Sequence, residues 1–251
     1  MLERVKLAWV GSQRHLAGMN QTMAALVRRH DPDRFLTALF APPAKRDALL
    51  TLYAFNHELA RAREVVSEPP LALIRLHWWR EVVEGARRRH EVAEPLRAAI
   101  ESGALAVGDL LGMIDAREAE AAPFETLKAW LDYLDGSAGG LMVAAGRLLD
   151  AADPEAFRPL GAAYGIAGLL RSIAVHKRQG RRMLPPDSSV EQLAAKGLGM
   201  LRPMRLPRHA IAAALPAVLA RHDLRRVPRN RPQRGLADRL AVVFAAMTGR
   251  V

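Results

Sequence analysis

Two stretches concentrate the side chains that could do chemistry. The first is Tyr53–Glu68, YAFNHELARAREVVSE, where helical spacing sets Tyr53, Asn56, Ala60 and Glu64 along one side with Arg61 and Arg63 beside them. The second is Tyr164–Asp187, YGIAGLLRSIAVHKRQGRRMLPPD, which carries Ser172 and His176 within a basic cluster of Arg171, Lys177, Arg178, Arg181 and Arg182. Such a cluster is dense enough to hold a phosphate or another anion through charge-assisted hydrogen bonds. Cations also suit a helix C-terminus without binding anything, so a solvated helix end is the plainer reading. His176 with a single glutamate is too small a donor set for a transition-metal site. Glu64, flanked by arginines, reads first as a salt-bridged structural carboxylate. Asn56, His57 and Glu58 can line a pocket at that spacing or simply pack.

The elements that must position these residues are helices. Phe35, Leu36, Leu39 and Phe40 fall at helical spacing before Pro42 and Pro43, and Pro43 suits the first turn of the next helix, where its missing N–H costs nothing. That helix carries Leu49, Leu52, Tyr53, Asn56 and Leu59 on the side of Glu64. Pro69 and Pro70 end it, and the next helix groups Leu73, Leu76, Trp79, Val82 and Val83 on one face, with Arg80 and Glu84 spaced to pair outside. Helices over about 106–120 and 123–149 follow. The second contains GSAGGLMVAAG, whose small residues from Gly136 to Gly140 allow close approach of a neighbouring helix or a ligand, close packing being the simpler account. Asp153 with Pro154 forms an N-cap and first turn for a helix running to about Lys177. No useful β-alternation and no repeat appears. The pattern predicts an all-α fold of about ten helices in one domain over residues 20–251. Residues 1–19 have weak periodicity and read as a disordered extension. Asn20–Thr22 spells a glycosylation sequon that reads as accidental.

The YAF of Tyr53–Phe55, the RLHWWR of Arg75–Arg80 and the LLR, GR and LPPD of Leu169–Asp187, in that order and spacing, resemble the squalene and phytoene synthase family of head-to-head prenyltransferases. The resemblance runs from about Asp33 to about Leu224 and implies an isoprenoid-synthase-like bundle around a central cavity. In that family carboxylates at i and i+4 on two facing helices hold magnesium against a diphosphate leaving group. Two such carboxylates lie about 5–6 Å apart, and magnesium takes one or two of them plus phosphate oxygens. Here the first aspartate-rich motif falls on Ala60, Arg61 and Glu64, so that Glu64 alone can bind a metal. The second falls on Ser172 and His176. Polar residues that usually precede it are replaced by Gly165 and Gly168. Exchanging carboxylates for neutral or basic groups argues against a magnesium cluster, so no cofactor and no catalytic residue is expected. Arginines can hold a diphosphate, but its departure needs charge stabilisation that grows in the transition state. FNHELARAREVVSE and LLRSIAVHKRQGRRMLPPD are most similar to the aspartate-lacking branch that includes the mitochondrial assembly factor for respiratory complex I. That resemblance implies a non-enzymatic role in assembling NADH:quinone oxidoreductase, with its subunits or assembly proteins as partners. Two alternatives stand beside it. One is an active prenyltransferase condensing two prenyl diphosphates with Mg2+; the other is an isoprenoid- or lipid-binding protein.

Composition bounds the rest. The net charge is +11 over 251 residues, but Arg171–Val251 holds 17 Lys and Arg against 4 Asp and Glu, whereas the first 170 residues hold 20 against 22. The excess sits in the C-terminal third and favours an anionic partner such as a diphosphate or an anionic membrane surface. Aromatic residues are few and not interleaved with the basic run, which disfavours nucleic acid. The sequence contains 0 cysteines, so disulfides, thiolate zinc sites and cysteine nucleophiles are excluded. No secretory signal and no run of eighteen apolar residues is seen, so the expected location is cytoplasmic, or peripheral at the inner membrane. Glycine-rich phosphate loops, nucleophile elbows and paired zinc motifs are absent.

Overall fold

The computed structural model describes residues 20–66, 68–227 and 234–251, and among these no β-strand occurs. The expected disordered extension, residues 1–19, lies outside the described residues. Eleven α-helices build the fold. They are α1 Gln21–His30, α2 Pro32–Ala38, α3 Pro43–Glu64, α4 Pro69–Val83, α5 Ala93–Glu101 and α6 Val107–Glu118. There follow α7 in two halves, Leu127–Leu134 and Gly140–Leu148, joined by a π-helical turn at Asp135–Gly139, then α8 Arg158–Arg178 and α9 Val190–Met200. Last come α10, in halves Ile211–Ala214 and Pro216–Arg226, and α11 Leu236–Thr248. No helix among the described residues is long and apolar enough to cross a membrane.

Local chemistry sets most boundaries. Proline occupies the first turn of α2, α3, α4 and the second half of α10. Thr126 caps α7 and Ser189 caps α9, the latter in a reciprocal box with Gln192. Asp153 caps the 3-10 turn Pro154–Phe157 that leads into α8. Asn20, the first residue of the sequon, accepts a hydrogen bond from the Met23 N–H and so starts α1. That helix escapes the periodicity reading because it buries just Met23, Ala24 and Val27.

α3 is the axis. Residues Leu49 to Asn56 are buried on every side, beyond the single face the spacing suggested, because α1, α2, α4, α5, α6 and the second half of α7 all pack on it. α8 forms a second axis against the π turn, α9 and α10. There the small residues are used for packing: a Cβ on Gly161 would stand 2.3 Å from the Ala138 carbonyl oxygen, and one on Gly165 would stand 2.8 Å from Leu134.

Three expectations differ. Pro69 begins α4 while α3 already stops at Glu64, so the proline starts a helix rather than ending one. Leu73 is exposed, whereas Ala72 joins Leu76, Trp79, Val82 and Val83 inside. Arg80 does not pair with Glu84; it reaches Asp115 at 2.5 Å and Glu118 at 2.9 Å on α6, where two carboxylates outbid one.

Candidate functional site

The C-terminal ends of α3 and α8 face one another across a cavity of about 350 Å³. Ala60 and Glu64 line it from α3, Leu169, Ser172, Val175 and His176 from α8. Arg117, Glu120, Tyr133, Arg181 and Met183 complete the wall. Arg181 arrives there because α8 stops abruptly. Gly180 takes a left-handed φ of 68°, its N–H donates to the Lys177 carbonyl at 3.1 Å, and the Arg181 N–H donates to the His176 carbonyl at 2.9 Å. The chain turns back, and the buried Trp130 indole fixes the return by donating to the Met183 carbonyl at 2.8 Å.

A buried ionic network fills the floor. The Arg117 guanidinium donates to Glu120 at 2.6 Å, to the Tyr133 hydroxyl at 3.1 Å and to the Asn56 side-chain oxygen at 3.3 Å. Tyr133 donates to Glu120 at 2.8 Å, and Arg181 donates to the other Glu120 oxygen at 2.9 Å. Burial opposes the Arg117 charge, yet Tyr133 and Glu120 hold its pKa above the ordinary value. Burial likewise pushes the Tyr133 hydroxyl upward against the pull of Arg117, so it stays protonated.

The opposite wall is neutral. Ser172 donates to the Gly168 carbonyl at 2.7 Å, and its oxygen lies 2.9 Å from His176 Nε2. With the serine proton engaged, Nε2 is the donor of that pair and Nδ1 carries the lone pair; Nδ1 is buried with no hydrogen-bond partner among the described residues. Burial, helped by Arg181, lowers the His176 pKa, so the ring is uncharged at neutral pH. At the rim, partial burial raises the Glu64 pKa while Arg181 opposes the shift.

This donor set does not fit magnesium. Glu120 is already bound by two guanidinium groups, which leaves Glu64 as the cavity's one uncommitted carboxylate, and a divalent ion there would sit against Arg181. Among the described residues no cluster of three or more histidines and carboxylates is arranged to hold a metal.

The squalene/phytoene synthase model matches residues 27–195, a span that contains both walls of this cavity. The chain belongs to the squalene/phytoene synthase family. Among solved structures it is similar to a dehydrosqualene synthase in complex with ligand, with a TM-score of 0.69, 15% identity, and 95% of this chain and 97% of that one covered. It is similar also to squalene synthase HpnC from Alicyclobacillus acidocaldarius, with a TM-score of 0.63, 16% identity, and 88% and 95% covered. At such identities the likeness speaks for the fold. Curated relatives share more sequence. They include NADH dehydrogenase (ubiquinone) complex I, assembly factor 6 from Homo sapiens, 27% identical over 179 residues, 68% of this chain and 54% of that protein. The Drosophila melanogaster homolog is 28% identical over 195 residues, covering 72% and 57%. The chain thus spans a little over half the length of the curated relatives it matches.

Within this family member, the residues singled out by sequence divide cleanly. Ala60, Glu64, Ser172, His176 and Arg181 meet at the cavity. Lys177 and Arg182 line an adjoining, largely apolar cavity of about 390 Å³ with Leu169, Ile173, Met183 and Leu184. Asn56 is buried behind the site and acts through Arg117. Arg61 turns away, pairing with Glu58 at 3.0 Å. Tyr53 is buried beneath Arg34 and lines neither cavity. Arg178 is exposed and lines neither as well. Arg171 also lies outside: it points to Asp33 at 3.4 Å and Asp223 at 3.6 Å. Arg117, Glu120 and Tyr133 went unrecognised. Their one sequence signal is an Arg–Glu pair at i,i+3, too common to single out.

Proposed function

We propose that this chain is a non-catalytic member of its family that serves in assembling NADH:quinone oxidoreductase. The observation that carries the reading is the Arg117–Glu120–Arg181 network, which occupies the cavity where a prenyl-diphosphate synthase needs a cation cluster. Guanidinium groups can bind a diphosphate, but they are fixed here by Glu120 and offer no growing stabilisation to a departing one. The names of the curated relatives support the assembly role, and the partners are then subunits or assembly proteins of that complex. Deleting the gene should lower assembled, active NADH:quinone oxidoreductase while isoprenoid profiles stay unchanged, and both wild type and Glu64→Gln should restore it. The purified chain with farnesyl or geranylgeranyl diphosphate and magnesium should release no pyrophosphate. Release abolished by Glu64→Gln would restore the prenyltransferase reading.

A second reading rests on the adjoining 390 Å³ cavity, whose apolar walls end in Lys177 and Arg182. That chemistry suits an isoprenoid or lipid with an anionic head. Native mass spectrometry should show a co-purifying lipid that Lys177→Glu with Arg182→Glu removes; a chain free of ligand under gentle isolation counts against it.

A further inference from the structure

α11 presents an apolar stripe that nothing in the fold covers. Leu236, Leu240, Phe244 and Met247 are 73, 57, 68 and 72% exposed. At 3.6 residues per turn they fall within an arc of about 80°. Asp238, Val242 and Ala245 are buried on the opposite side, facing α10. An exposed row of large apolar side chains on one helix marks a docking surface more often than chance.

The helix is held rigidly, so its exposure is not fraying. Before it, Arg234 donates to Asp33 at 2.8 Å and also pairs with Asp223. After it, Gly249 ends the helix in the left-handed region, and Val251 and Met204 exchange backbone hydrogen bonds at 3.1 and 3.0 Å.

Charge chooses the occupant. From Leu236 to Val251 the sole acid in the sequence is Asp238. It is 2% exposed and committed inward, accepting from His222 and Arg226, each at 2.9 Å, and from the Gly235 N–H at 3.1 Å. Arg225, Arg239 and Arg250 are exposed around the stripe. The surface is therefore apolar along its crest and positive at its flanks, with no exposed carboxylate on the helix. A protein groove or a second copy would satisfy the crest but would have to neutralise arginines on both sides. A bilayer with anionic headgroups satisfies both at once, taking the apolar face into the headgroup–acyl boundary and the guanidinium groups at the phosphates.

We propose that α11 is a membrane-docking helix that lies in the plane of an anionic lipid surface, with Leu240 and Phe244 at the centre of contact. This goes beyond the assembly role and does not lean on it, since binding is a property of the purified chain alone. The test is flotation with vesicles of phosphatidylcholine, with and without phosphatidylglycerol. Wild type should float with the anionic vesicles and be released by high salt. Leu240→Asp with Phe244→Asp should weaken binding by more than about tenfold while circular dichroism and thermal midpoint are retained. Arg239→Glu should weaken it less. Phe244→Trp should blue-shift on binding and be quenched by lipids brominated in the acyl chain. Absence of wild-type flotation, binding indifferent to the double aspartate variant, or an unquenched tryptophan would overturn the proposal. So would a wild-type dimer in light scattering that the aspartate variant converts to monomer, which would assign the stripe to a second copy.

Discussion

Two buried charge networks in this protein are built from the same parts and do different things. At the cavity, Glu120 stands between Arg117 and Arg181. On the other side of α8, Asp33 and Asp223 alternate with Arg171 and Arg234. The second network has two acids for two arginines and lines neither cavity; it joins α2 to the segment before α11 across 201 residues of chain. It is a fastening. The first has one fully engaged acid for two arginines and borders empty volume, with a tyrosine hydroxyl, a neutral histidine and Glu64 around it. A charge network facing a cavity can receive a ligand, whereas a saturated one cannot. The contrast explains why Arg171 and Arg181, ten residues apart in one basic cluster, have separate fates.

The largest effect that would break this comparison is at Glu120. Glu120→Ala leaves two guanidinium groups facing each other without a counter-charge and should cost about 3–5 kcal/mol in urea unfolding. A loss below about 1 kcal/mol would mean that the cavity floor is solvated rather than buried. Arg234→Ala should cost less, about 2–3 kcal/mol, because Arg171 still faces both aspartates. If it costs more than Glu120→Ala, the fastening rather than the cavity floor is the tighter network.

Acid should sharpen the difference next. Burial lowers the pKa of His176 in the cavity and of His57, which stacks on His30 with ring centroids 4.3 Å apart. A histidine whose folded pKa is depressed contributes stability that is complete above its unfolded value near 6.5 and lost as the pH falls through the lower folded value. The thermal midpoint should therefore fall between neutral and mildly acidic pH, and His57→Gln and His176→Gln should each flatten the curve. Smallest of all is Glu64→Gln. At the rim, with no ion pair, it should shift stability by less than about 0.5 kcal/mol. A larger loss would show Glu64 to be part of the floor network.

Much of this was legible from the sequence, for identifiable reasons. α3 and α8 announce themselves through proline at the first turn and apolar spacing, and Ala60, Glu64, Ser172 and His176 share a cavity because four-residue steps keep them on one face of each helix. The same geometry accounts for the errors. Arg61 and Arg171 each neighbour a cavity residue in sequence, and a one-residue step turns a side chain about 100° around the helix, which sends both elsewhere. Arg117, Glu120 and Tyr133 stayed hidden because they come from α6, the turn after it and α7, and no local pattern tells which distant helix end a side chain will meet. The glycines of α7 could be assigned to packing, but not to α8 as the partner whose backbone they touch.

The π turn at Asp135–Gly139 closes with the Gly140 N–H donating to the Asp135 carbonyl, five residues back. Such a turn holds one residue more than the helix on either side requires. Deleting a single residue from 135–139 would let α7 run straight, and everything beyond it would swing by about 100°. Met142 and Ala145 would then leave the core and Gly146 would lose its fit beneath Phe157, while Tyr133, upstream, kept its aim. Length at this point is thus a phase setting that keeps the packing half and the cavity half of one helix in step, and point substitutions would leave it untouched.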